Sequence, residues 1–162
     1  QSAQLDVTWS LQPPMFYSTY AAGVSRVYGE EYAHRWMLPV KSLIDAGAKV
    51  SYGADTHDDP QRQPMFSLEV LVTRKVLDGR VFGPREALDR DSALLMLTRW
   101  GAGYVLRDQE LGSLEPGKLA DLVVLDGNPL DPGIADENLS EIKVVATIIG
   151  GEVAYDPDDL VQ

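Results

Sequence analysis

Lys49-Val50-Ser51-Tyr52-Gly53-Ala54-Asp55-Thr56-His57 reads as a short strand that stops at a Gly-Ala step and carries an acid and an imidazole into the loop beyond it. A carboxylate at the C-terminal end of a parallel strand stands where barrel enzymes place their catalytic groups. Aspartate is ionised at neutral pH, so Asp55 can ligate a divalent cation without first losing a proton. Buried without a partner, it would cost several kcal/mol of desolvation; it is therefore metal-bound, paired or open to solvent. Its ordinary reading is a loop aspartate that caps a turn.

The flanks supply the context. Leu5, Val7, Trp9 and Leu11 alternate with Asp6, Thr8, Ser10 and Gln12, the period of a strand, and Pro13-Pro14 closes it. Residues 15–36 are aromatic-rich and read as irregular, with room for a short helix over 30–36. Pro39 then opens a helix on which Val40, Leu43 and Ile44 share a face, and Gly47 suits its end. Strand, connection with helix, strand is a βαβ rhythm, which implies a parallel sheet.

Downstream, Leu68, Leu71, Val72 and Val76 predict a helix from Met65 to Leu77, stopped by Asp78-Gly79. Asp89 or Asp91 is placed to cap a further helix, whose face carries Leu94, Leu95, Leu97 and Tyr104. From Gly112 the chain turns to β: Leu122–Leu125 reads as a short buried strand. Val144–Ile149 and Glu152–Tyr155 flank Gly150-Gly151, the pair that supplies the positive φ of a primed hairpin turn.

Composition narrows the function. The chain has 162 residues with 25 acids against 14 bases, a net charge of −11, which argues against a nucleic-acid partner because phosphate neutralisation needs clustered Lys and Arg. Cysteine is absent, so disulfides and thiolate zinc sites are excluded and the redox compartment stays open; the cytoplasm is the favoured location. No apolar run approaches the roughly 20 residues of a helical membrane span, so no membrane partner is expected. Gln1-Ser2-Ala3-Gln4 has neither the basic nor the apolar region of a signal peptide and reads as the middle of a longer chain.

Other residues able to do chemistry are few. His57 is a candidate ligand, proton shuttle or substrate contact, and Arg62 and Arg74 can each hold a carboxylate in a bidentate fork. Each also reads as an ordinary surface residue, and Arg74 equally as a support for the Asp55 loop. His34 sits among aromatics and reads as structural or surface. The aromatics of 16–36 either line an apolar pocket or pack a long connection. Gly101-Ala102-Gly103 lacks the strand-turn-helix setting of a nucleotide fingerprint, and neither a serine elbow nor a cysteine nucleophile is present.

The run Leu111-Gly112-Ser113-Leu114-Glu115-Pro116-Gly117-Lys118-Leu119-Ala120-Asp121-Leu122-Val123-Val124-Leu125-Asp126 resembles the C-terminal signature of the metal-dependent amidohydrolase superfamily. Thr147–Tyr155 looks like that family's closing strands. Ser51-Tyr52-Gly53-Ala54-Asp55 is similar to its last barrel strand, with Ala54 in place of the usual Ser. Ser10-Leu11-Gln12-Pro13 resembles the seventh strand, and Val70-Leu71-Val72-Thr73-Arg74 the following helix in the YtcJ-like amidohydrolase family 3 branch.

The resemblance implies an α/β fold: the last two βα units of a (β/α)8 TIM-like barrel over residues 1–111, then strands of a small flanking β-sandwich and a tail over 112–162. It implies that Asp55 is both metal ligand and catalytic proton acceptor; His57 and Arg62, read from their own chemistry and their place after Asp55, are the substrate-binding candidates. The cofactor is then a divalent metal, zinc, as one or two ions. The family's other ligands, a His-x-His, a bridging Lys or Glu and two further His, have no match here, and a full barrel needs about 250 residues. The expectation is the C-terminal portion of a hydrolase of non-peptide C–N bonds, inactive alone. Its partners would be a small-molecule substrate and the remaining N-terminal part or a complementary chain, with a homo-oligomer as a further option. The rival expectations are a non-catalytic binding module on the same scaffold and a fragment without function.

Overall fold

The structure, a computed structural model, describes residues 1–55 and 63–161. Strand β1 (Thr8–Leu11) lies parallel to β2 (Lys49–Tyr52), with Thr8 opposite Lys49 and Leu11 opposite Tyr52. One more ladder bond, from Gly53 N to Leu11 O at 2.9 Å, carries the pairing past the end of β2. The expected strand over 5–12 is shorter. Leu5 is 72% exposed, Asp6 has φ +54°, and Leu5 N and Val7 N bond back to Gln1 O and Ser2 O in a turn. Strand β1 begins only where β2 supplies a neighbour.

The crossover between the strands is helical rather than irregular. Helix α1 (Pro13–Met15) runs through a π-helical turn (Phe16–Tyr20) into α2 (Ala21–Tyr28), and α3 (Glu30–Trp36) follows after Gly29 at φ +91°. The aromatics masked the helical period because Tyr20, Tyr28, Tyr32 and Trp36 are exposed, while the buried face is made by Phe16, Ala21 and Ala33. Of the aromatics only Phe16 is buried; Tyr17 packs half-buried edge-on against Phe66, and Tyr20 and Tyr28 line an open pocket of about 360 Å³. Helix α4 (Val40–Asp45) starts after Pro39 as expected and ends ahead of Gly47 at φ +77°. Its first turn is capped from a distance: Glu86 accepts from Ser42 N at 2.8 Å and from Ser42 Oγ, satisfying an amide the helix cannot.

Helix α5 (Pro64–Thr73) stops short of the expected Leu77. Arg74 turns left-handed at φ +58°, and the chain doubles back through a Lys75–Val81 bridge and a turn at Gly79. Asp89 caps α6 (Arg90–Leu97), accepting from Ser92 N at 2.8 Å. Helix α7 (Arg99–Tyr104) is separated from α6 by Thr98, at φ −126° and ψ −90°. The break changes the inward face: Ala93, Met96 and Ala102 are buried, Leu94 and Leu97 are half-buried, and Leu95 and Tyr104 are exposed.

Strands β3 (Leu122–Leu125), β4 (Val144–Ile149) and β5 (Glu152–Tyr155) form an antiparallel sheet in that order. The β4–β5 turn has Gly150 at φ +60° and Gly151 at φ +87°, the positive pair anticipated for a primed turn. Strand β3 is not buried: Val123 is 51% and Val124 37% exposed, because nothing among the described residues covers that part of the sheet.

Two apolar clusters hold the chain together. One contains Val40, Val50, Leu68, Leu71, Met96 and Leu139; the other contains Phe16, Ala21, Ala33, Val70 and Phe82. Helix α5 contributes to both. At about 1.5–3 kcal/mol for each fully buried large aliphatic side chain, Leu68, Leu71 and Leu139, all 0% exposed, are among the larger stabilising contributions. No helix among the described residues is long and apolar enough to cross a membrane.

Candidate active site

Strand β2 alternates its side chains. Val50 sits in the first cluster with Tyr52 packed against it, and the Tyr52 hydroxyl accepts from Ser67 Oγ on α5 at 3.2 Å. Gly53, beyond the strand's end, lies beside the polar side of β1: a Cβ added there would meet Ser10 Oγ at 2.9 Å and Gln12 Nε2 at 3.2 Å. Gln12 Nε2 in turn lies 3.4 Å from Ser10 Oγ. Two residues past Gly53, Asp55 is exposed and left-handed at φ +47°, a conformation that Asp tolerates better than most residues.

Among the described residues no hydrogen bond or ion pair engages the Asp55 carboxylate, which is therefore free to act on something else. One carboxylate suits a divalent cation as a single oxygen donor but leaves its shell incomplete. Among the described residues no group of three or more His, Cys, Asp or Glu side chains could hold a metal ion.

The other sequence candidates divide. His57 and Arg62 lie outside the described residues. Arg74 belongs to the core: it is fully buried, stacks on Phe16, and donates to Phe82 O, Leu38 O and Met37 O at 3.1, 3.2 and 2.8 Å. Burial pulls its pKa down to about 10, partly offset by Glu86. It holds backbone rather than substrate. His34 is structural as expected, its Nδ1 accepting from Gly83 N at 2.9 Å.

Cavities lined by the described residues stand apart from Asp55. One of about 330 Å³ opens at the opposite end of the strands, between Thr8, Lys49, Trp100 and Tyr104. Another, of about 950 Å³, separates the start of α5 from the β3–β5 sheet. Sequence reading missed Ser10 and Gln12; they are the polar half of the same alternation that identified β1.

Residues 1–155 match the model of the amidohydrolase family. The chain belongs to that family. It is 37% identical over 128 residues to the N-substituted formamide deformylase of Arthrobacter pascens, covering 79% of this chain and 23% of that protein. It is 36% identical over 93 residues to the 5-methylthioadenosine/S-adenosylhomocysteine deaminase of Teredinibacter turnerae, covering 57% of this chain and 21% of that one. An uncharacterized metal-dependent hydrolase from Pyrococcus horikoshii superposes on 84% of this chain and 27% of its own, with 27% identity and a TM-score of 0.65. The amidohydrolase chain thus spans less than a quarter of the length of these curated relatives.

Proposed function

We propose that this chain is the C-terminal part of a metal-dependent amidohydrolase that hydrolyses non-peptide C–N bonds of small molecules, an N-substituted amide being the first substrate class to try. The observation that carries the reading is Asp55: an exposed carboxylate with no partner among the described residues, set at the C-terminal end of a parallel strand in a chain that matches the family from residue 1 to 155.

In this reading β1 and β2, with the helices after each, are the last two βα units of a (β/α)8 barrel. Residues 1–111 complete the barrel, and 112–162 carry strands of a flanking β-sandwich and its tail. The remaining barrel strands come from an N-terminal part of the same protein or from a complementary chain, and the chain alone is inactive. Asp55 supplies one oxygen to a divalent ion, zinc, present as one or two ions whose other donors lie in that remaining part. When bound, such an ion supplies Lewis-acid polarisation and an activated water. Asp55 accepts the proton of the attacking water and passes it to the leaving amine. His57 and Arg62, in the sequence that follows Asp55, bind substrate.

The test is Asp55→Asn in the complete enzyme, with turnover, metal content and thermal unfolding measured together. Turnover should fall by several orders of magnitude with the fold intact. Near-wild-type turnover on amides that the parent hydrolyses would remove Asp55 from the mechanism.

A further inference from the structure

We infer that Gln12 is a substrate-binding residue of the Asp55 site, its carboxamide donating a hydrogen bond to the carbonyl oxygen of the amide that is cleaved; this rests on Asp55 being the catalytic carboxylate. The first support is position. Gln12 follows β1 directly, and the ladder bond from Gly53 N to Leu11 O sets it beside Gly53, two residues from Asp55 and on the same side of the sheet as Ser10.

The second support is the glycine. Gly53 is not among the residues of positive φ, so its backbone conformation does not call for glycine. A methyl group there would meet Ser10 Oγ at 2.9 Å and Gln12 Nε2 at 3.2 Å, so these side-chain ends would have to swing away from their present place; glycine is the residue that leaves room for them where they are. The missing side chain lets a polar pair lie across the end of β2.

The third support is a fixed backbone joined to unspent hydrogen-bonding capacity. Gln12 O accepts from Met15 N at 3.1 Å and Phe16 N at 3.4 Å, and Pro13, buried, restricts the residue before it. Among the described residues the side chain is held by a single 3.4 Å contact with Ser10 Oγ. A carboxamide carries two donors and an acceptor of two lone pairs, so most of this capacity is unused while the group is half-buried. A neutral donor on an anchored backbone suits a neutral acyl oxygen.

The experiment uses the complete, metal-loaded enzyme and a panel of simple anilides, formanilide and acetanilide, followed by aniline release. Gln12→Leu should lower kcat/KM by about 10- to 100-fold, mainly through KM, because a polar contact is lost on one side only. Gln12→Glu keeps the size and the Ser10 contact but loses the donor, and should be impaired alike. Gly53→Ala should act in the same direction by displacing Gln12. Metal content should stay at the parent level in all three. If Gln12→Leu fails to fold, Gln12→Glu carries the test. Parent-level kcat/KM for the folded Gln12 variants, on an anilide whose hydrolysis Asp55→Asn abolishes, overturns the role of Gln12 and leaves Asp55 standing. Absence of turnover by the parent on every anilide, or undiminished turnover by Asp55→Asn, overturns the site and Gln12 with it.

Discussion

Arg74 lies over the ring of Phe16 with its guanidinium carbon 4.1 Å from the ring centroid, and from there donates to the carbonyls of Met37, Leu38 and Phe82. A buried cation is thus held by an aromatic face and three carbonyls. It ties the end of α5 to the crossover helices, because Met37 and Leu38 join α3 to α4.

Replacing Arg74 with Leu should therefore destabilise the protein strongly. Three carbonyls lose a charged donor in a dry setting, and each buried polar group left unsatisfied costs about 1–3 kcal/mol. With partial relaxation a loss of roughly 2–4 kcal/mol is expected in urea unfolding. A loss under about 1 kcal/mol would mean that the carbonyls find other donors.

Asp89 gives a pH-dependent prediction. Its carboxyl is held below the usual carboxylate range, chiefly by the hydrogen bond from Ser92 N. A carboxylate depressed in the folded state stabilises it above its unfolded value, near pH 4, and the gain disappears as pH falls through the folded value. Asp89→Ala should cost about 1 kcal/mol at neutral pH, the usual worth of such a cap, and the difference from the parent should close between about pH 4 and more acidic conditions. Parallel stability curves for the two proteins across that range would contradict it.

Gly151→Val should destabilise by more than about 1 kcal/mol, since a β-branched residue is placed at φ +87°. An added Cβ meets nothing closer than Ala120 Cβ at 4.0 Å, so the strain lies chiefly in the backbone, and an unchanged melting temperature would refute the turn geometry.

Leu139→Ala tests how the last third of the chain is attached. Leu139 is wholly buried in the cluster that contains Leu68 and Leu71, and such truncations cost about 2–5 kcal/mol. Nearby, Arg90 grips the adjoining loop through Pro129 O, Asp131 O, Ile134 O and the Asp136 carboxylate. Because both hold the same segment, a protein that has already lost Leu139 has less left for Arg90 to hold, so Arg90→Ala should add less than its own single cost in a double-mutant cycle. Full additivity would show the two attachments to be independent.

What could be read from sequence was whatever local chemistry decides. Pro39 and Gly47 around α4, Asp89 before α6, and Gly150-Gly151 between β4 and β5 act within a few residues, and each was legible. Elements whose limits depend on distant partners were not. Strand β1 starts where β2 does, α5 ends where Arg74 finds carbonyls from the α3–α4 junction, and β3 reads as buried only if something covers it. Asp55 was conspicuous by type and position. Gln12 was invisible as a site residue because its surroundings depend on Gly53, 41 positions away in the chain. His57 and Arg62 are proposals from the sequence beyond Asp55, outside the described residues.

Helix α5 is apolar nearly all round, with Leu68 and Leu71 in one cluster and Val70 in the other. Two clusters that share a helix cannot melt independently, since losing either strips one side of α5. Its central amides should therefore open only when the whole α/β part opens. In hydrogen exchange they should be among the slowest in the chain, and their rate should report the global unfolding equilibrium rather than a local fluctuation.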